Sequence, residues 1–82
     1  MREPSYGISK QLTVGGGAIN EYINDLPVAG LCAVCTVAGN ATVTLSGGSS
    51  MTVSLAVGTV ILPIGVIAVA SQTATATYYA LA

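Results

Sequence analysis

From residue 31 onward, apolar and polar side chains alternate with a period of two. In "ATVTLSGG" (41–48), Val43 and Leu45 fall on one face and Thr42, Thr44 and Ser46 on the other. In "MTVSLAV" (51–57), Met51, Val53 and Leu55 oppose Thr52, Ser54 and Ala56. In "TATATYYALA" (73–82), Thr73, Thr75 and Thr77 oppose Ala74, Ala76 and Tyr78. Successive side chains of a strand point to opposite sides, so this period predicts strands with one buried face. "LCAVCTVAG" (31–39), rich in Val, Cys and Thr, reads as a further strand. Gly47-Gly48-Ser49-Ser50 reads as a four-residue hairpin loop, and Gly39-Asn40 as a turn. Short strands separated by turn residues every 8–12 positions indicate an all-β fold. The expectation is a small antiparallel β-sandwich or jelly-roll-like barrel of five to six strands. Residues 1–25 are expected to form an N-terminal arm and linker, and 26–82 the β domain.

The stretch 53–70 can be read in two ways. Val53 to Ala70 are 18 uncharged residues, about the minimum for a membrane helix. Ser54, Gly58, Thr59, Pro63 and Gly65 interrupt it, and no Lys or Arg flanks it to set an orientation. The favoured reading is a turn at Val57-Gly58 and then a strand of roughly Ile61 to Ala70, apolar on both faces. Pro63, which has no N–H, would stand at its start or on an edge. Upstream, "AINEYINDLP" (18–27) reads as one helical turn or a loop ended by Pro27. "KQLTV" (10–14) reads as a short strand able to add to another sheet, and Gly15–Gly17 as a flexible joint.

Charge changes the picture most. Only 6% of the 82 residues are charged, and nothing after Asp25 is. Average chains carry about 25%. A fold of this size exposes on the order of 4,500 Å², here mostly Thr, Ser, Gly, Ala and aliphatic carbon. Other protein or lipid is therefore expected to cover much of it. The net charge of −1 provides no basic field for nucleic acid. No apolar run in residues 1–17 has the length of a signal peptide's core, so synthesis in a reducing cytoplasm is expected.

Little in the chain suggests chemistry. Cys32 and Cys35 form a C-x-x-C, but on a strand their sulfurs point to opposite sides. With no His and no third Cys, a zinc site lacks ligands. The Gly15–Gly17 run has no following G-K-[ST], so phosphate binding is not expected. Asn40-Ala41-Thr42 matches a glycosylation acceptor only formally. Glu21 and Asp25, four apart, would repel on a shared helical face. No general base stands near the many hydroxyls, so no enzyme and no cofactor is expected. Tyr78 and Tyr79 point to opposite sides of a strand, one into the core and one outward.

An Asp-Leu-Pro (25–27) precedes a strand, and a Gly-Asn turn leads into "ATVTLSGGSSMTVSL". Next comes "VGTVILPIGVIAVASQTATATYYALA", with Gly58, Leu62-Pro63 and Thr73-Ala74-Thr75 as fixed points. Over residues 25–82 this order resembles the small all-β head proteins of tailed phages and gene transfer agents: head spike base proteins and capsid decoration (cement) proteins. Members of that group carry Arg or Lys on the strands matching 31–37 and 64–69, where this chain has Leu31, Gly65, Ile67 and Ala68. The resemblance implies a structural virion protein on the outer surface of the capsid, made in the host cytoplasm. Its implied partners are copies of itself as a trimer or pentamer, the major capsid protein, and a spike or fibre protein. No nucleic acid and no membrane is implied. Leu12, Val14, Ile64, Ile67, Tyr79 and Leu81 are the expected oligomer or capsid contacts. The alternatives are a small membrane protein spanning 53–70 and a tail- or fibre-associated β module.

Overall fold

A computed structural model describes residues 7–82, which fold as an all-β protein. Nine strands follow one another: β1 (Ser9–Leu12), β2 (Tyr22–Ile23), β3 (Leu26–Pro27), β4 (Gly30–Val37), β5 (Gly39–Leu45), β6 (Ser50–Leu55), β7 (Gly58–Leu62), β8 (Val66–Gln72) and β9 (Thr75–Leu81). They form a four-stranded sheet in the order β1-β9-β4-β7 and a three-stranded sheet in the order β6-β5-β8, with β2-β3 as a separate hairpin. All pairings are antiparallel.

The two larger sheets share one core. The alternating positions of β4, β5, β6 and β9 supply Leu31, Ala33, Cys35, Ala41, Val43, Val53, Leu55, Tyr78 and Ala80, and β8 adds Val66 and Val69. The faces read from the alternation are the faces observed. Only Met51 of the inward set is exposed, because β6 lies at the rim of its sheet.

After β4 the chain changes sheet at every connection except the β5–β6 hairpin. Ala38 alone links β4 to β5. Such a sharp corner requires close backbone approach. A Cβ on Gly39 would stand 2.5 Å from the Ala74 nitrogen. Asn40 lies within β5 rather than in a turn. Its backbone holds the opposite corner, accepting from the Thr73 and Ala74 N–H groups and donating to Thr73 Oγ1.

The stretch expected to be one strand, Ile61 to Ala70, is two strands in different sheets. β7 ends at Leu62 and β8 begins at Val66. Pro63 offers no N–H to a ladder, and Gly65 passes so close to the Val28 carbonyl that a Cβ would lie 2.5 Å from it. β8 then carries two register shifts against β5. The shift between Thr44 and Leu45 brings Val66 and Val69, three apart, onto the same inner face. Among the described residues, no helix is long and apolar enough to cross a membrane, and residues 53–70, read alternatively as a helical span, run through β6, β7 and β8.

Residues 18–27 form no helical turn. Tyr22–Ile23 and Leu26–Pro27 pair around Asn24 and Asp25, which have φ of 49° and 65°. Positive φ at both central residues is the signature of a type I′ turn, which suits the twist of paired strands. Residues 7–25, read as an arm, lie on the body of this same chain. β1 pairs with β9, the Gly7 and Ile8 N–H groups donate to the Ala82 carbonyl, and Gly15 and Ile19 donate to Val69 and Ile67 of β8. Gly15 turns with φ 76°, and Gly16 N–H closes that turn on the Thr13 carbonyl.

Candidate interaction surface

The outward positions of the four-stranded sheet follow from its register. Cys32 of β4 pairs with Ile61 of β7 on one side and Tyr79 of β9 on the other, and Gln11 of β1 continues the row. Val34 sits between Thr59 and Thr77 in the next row. Leu81 pairs with Ser9 and Gly30 in the row on the other side. Because β4 is apolar in both phases, it buries Leu31, Ala33 and Cys35 while presenting Cys32 and Val34 outward. The result is a sheet face of Ile61, Cys32, Tyr79, Val34 and Leu81 bordered by hydroxyls and an amide. Among the described residues, no charged side chain stands on it.

The outer face of the other sheet differs. Thr42, Thr44, Thr52 and Ser54 point outward there and can keep hydrogen bonds with water. Apolar exposure is concentrated elsewhere. Val57 is 67% exposed, Ile61 56%, Val37 55%, Met51 41% and Val34 40%. These five lie on β4, β6, β7 or the β6–β7 link, and two more, Tyr22 and Leu26, are exposed on the β2–β3 hairpin.

The charges of the described residues gather at one end of the four-stranded sheet. Lys10 pairs with Ala80, while Glu21 and Asp25 belong to the hairpin segment that leads through Val28 into Ala29, whose N–H donates to the Leu81 carbonyl. The opposite end, where Val37 pairs with Thr75, is uncharged.

The six expected contact residues separate into groups. Tyr79 and Leu81 stand half-buried on the uncharged sheet face. Leu12 is 4% exposed and belongs to the core, so it has little to offer a partner. Val14 and Ile64 pack against the core. Ile67 is half-buried on β8, and its carbonyl accepts from the Ile19 N–H. Cys32, Val34 and Ile61, absent from the expected set, complete the face with Tyr79. The signal for two of them was present in "LCAVC", where neither alternating phase is polar.

Chemical groups in the interior are few. Cys32 is half-buried and outward, and Cys35 is buried and inward; both are free thiols. The divergence follows from their odd spacing on a strand. The Cys35 thiol donates to the Val37 carbonyl at 3.1 Å, across a register shift between Cys35 and Val37. Tyr78 is fully buried, and its hydroxyl donates to Gln72 Oε1 at 2.8 Å. Burial, and secondarily the nearby Cys35 thiol, raises the Tyr78 pKa above its ordinary value near 10. Among the described residues, no cluster of His, Cys, Asp and Glu is placed to hold a metal ion.

No family model, curated protein or solved structure matches the chain.

Proposed function

We propose that this chain is a structural subunit that assembles with copies of itself and docks on a larger protein shell. The observation that carries the reading is the sheet face of Cys32, Val34, Ile61, Tyr79 and Leu81, which holds no charge among the described residues, whose Lys10, Glu21 and Asp25 gather at one end of the sheet. A face of this kind gains by being covered, since apolar area removed from water contributes about 25 cal/mol per Å². Aromatic anchors such as Tyr79 are favoured at the centre of such contacts. The charged end then remains outside and keeps the assembly dispersed. The order of turns and strands resembles head decoration and spike base proteins of tailed phages, which makes the shell a capsid and the role a decoration or cement subunit or a base for a spike. Many copies on one shell would convert weak single contacts into firm attachment.

Co-sedimentation with assembled head shells of the parent phage tests this. The wild-type chain is expected in the shell fraction, and Tyr79→Asp is expected in the supernatant with an unchanged circular dichroism spectrum. A wild-type chain that stays in the supernatant at every ratio would sink the proposal.

A further inference from the structure

We propose that the outer edge of β7 pairs antiparallel with the same edge of a second copy, joining the two four-stranded sheets into one of eight strands. This deepens the reading of a self-assembling subunit and names the surface.

The two larger sheets end in four rim strands, β1, β7, β6 and β8. A rim strand presents N–H and C=O groups that template another strand, and folded proteins protect such rims by cover, charge or shortness. β8 is covered by its own chain, through Gly15 and Ile19. β1 is four residues long and carries Lys10. Among the described residues, β6 is as uncharged and uncovered as β7, but its outward positions are Thr52 and Ser54, which can bond to water, whereas β7 holds Ile61 outward at 56% exposure. β7 (GTVIL) has no charge and no internal proline, and among the described residues no strand lies beyond it. Among the described residues, the only backbone hydrogen bond β7 makes beyond its ladder with β4 is from Ile64 N–H to the Leu62 carbonyl.

A second copy is the occupant the chemistry selects. The edge is extended, rich in β-branched residues and uncharged, so nothing repels its twin. Pairing about a two-fold axis through Val60 sets Val60 opposite Val60 and Thr59 opposite Ile61, twice over. β8 lies beside β9 and β1, which leaves β6 and β7 together on the other side of the sandwich. That side holds exposed Met51, Val57 and Ile61 next to the edge. A stable interface takes roughly 800 Å² from each partner, about a sixth of the 4773 Å² surface. These side chains extend the contact well beyond one strand. An isologous contact of this kind closes as a dimer.

Sedimentation velocity on three purified proteins tests the pairing. The wild type is expected to sediment as a particle of twice 8.1 kDa or a multiple of it. The double variant Thr59→Lys with Ile61→Lys places like charges directly opposite at both pairs. Its association is expected to weaken by at least about 100-fold, giving monomers with an unchanged β spectrum. Thr59→Lys with Ile61→Glu places Lys against Glu in the same register, and the dimer is expected to return. A wild-type monomer would overturn the inference. So would a Lys/Lys protein that associates like the wild type, a Lys/Glu protein that stays monomeric while folded, or dissociation by Ser54→Lys on β6 in place of the β7 variant. Shell binding is read separately by co-sedimentation, so a dimer that ignores shells would spare the edge pairing and reject the docking role.

Discussion

At the scale of single residues, two glycines, Gly39 and Gly65, mark where the fold tolerates no side chain. Gly39 lets the backbone of β5 pass Ala74 at a corner where an added methyl meets backbone atoms rather than a movable side chain. Gly39→Ala is therefore expected to destabilise the fold by about 1–3 kcal/mol, the usual cost of forcing extra volume into packed structure. Gly47→Ala, with nothing within 4 Å of the new methyl, should stay within about 0.5 kcal/mol of the wild type. Denaturant unfolding of the two variants side by side checks the contrast. Tyr78 gives a pH signature. Its folded pKa is raised, so its contribution to stability is fully present below about pH 10. It is lost as the pH climbs from there through the folded value, because the unfolded chain ionises first. Alkaline titration followed by tyrosinate absorbance should show one late-titrating tyrosine, absent in Tyr78→Phe. That variant should lose about 1 kcal/mol at neutral pH with the Gln72 hydrogen bond and show a flatter alkaline decline in stability.

At the scale of elements, the hairpin of β2 and β3 turns on two residues with positive φ, neither of them glycine. Such backbone costs an ordinary residue roughly 1–2 kcal/mol and Asn or Asp less. Asp25→Gly should relieve part of it, raising stability by up to about 1 kcal/mol, with the gain read as a higher thermal midpoint. The strands themselves were readable where polarity alternates: Val43 against Thr42 and Thr44, Val53 and Leu55 against Thr52 and Ser54, Ala74 and Tyr78 against Thr75 and Thr77. They were unreadable where that contrast vanishes. Between Val57 and Ala70 the side chains are nearly all apolar, so periodicity could not locate the break between β7 and β8. Pro63 and Gly65 carried that information through backbone constraints, and the register shifts in β8 leave no polarity trace at all. Asn24-Asp25 was a two-residue hairpin signal, masked by the near-helical spacing of Ile19 and Ile23. The same loss of contrast hid the candidate surface. "LCAVC" has no polar phase to mark which of its faces is inward, and only one side of β4 is covered among the described residues.

At the scale of the whole molecule, one shared core holds two sheets whose outer faces differ. The three-stranded sheet turns Thr and Ser to water. The four-stranded sheet turns Cys32, Val34, Ile61 and Tyr79 outward and leaves β7 unpaired at its rim. The charges of the described residues sit at one end of that sheet, opposite the end where Val37 pairs with Thr75. With so few ionised groups, little electrostatic repulsion opposes association, and the exposed aliphatic side chains favour it. The central claim is that these β faces are covered by sister subunits. The most direct test is sedimentation equilibrium of the purified wild-type chain across a wide concentration range, without lipid, detergent or shells. Self-association into a discrete species of defined mass, with an all-β spectrum, is the result the account predicts. A chain that remains 8.1 kDa monomers up to the highest concentration reached would contradict it.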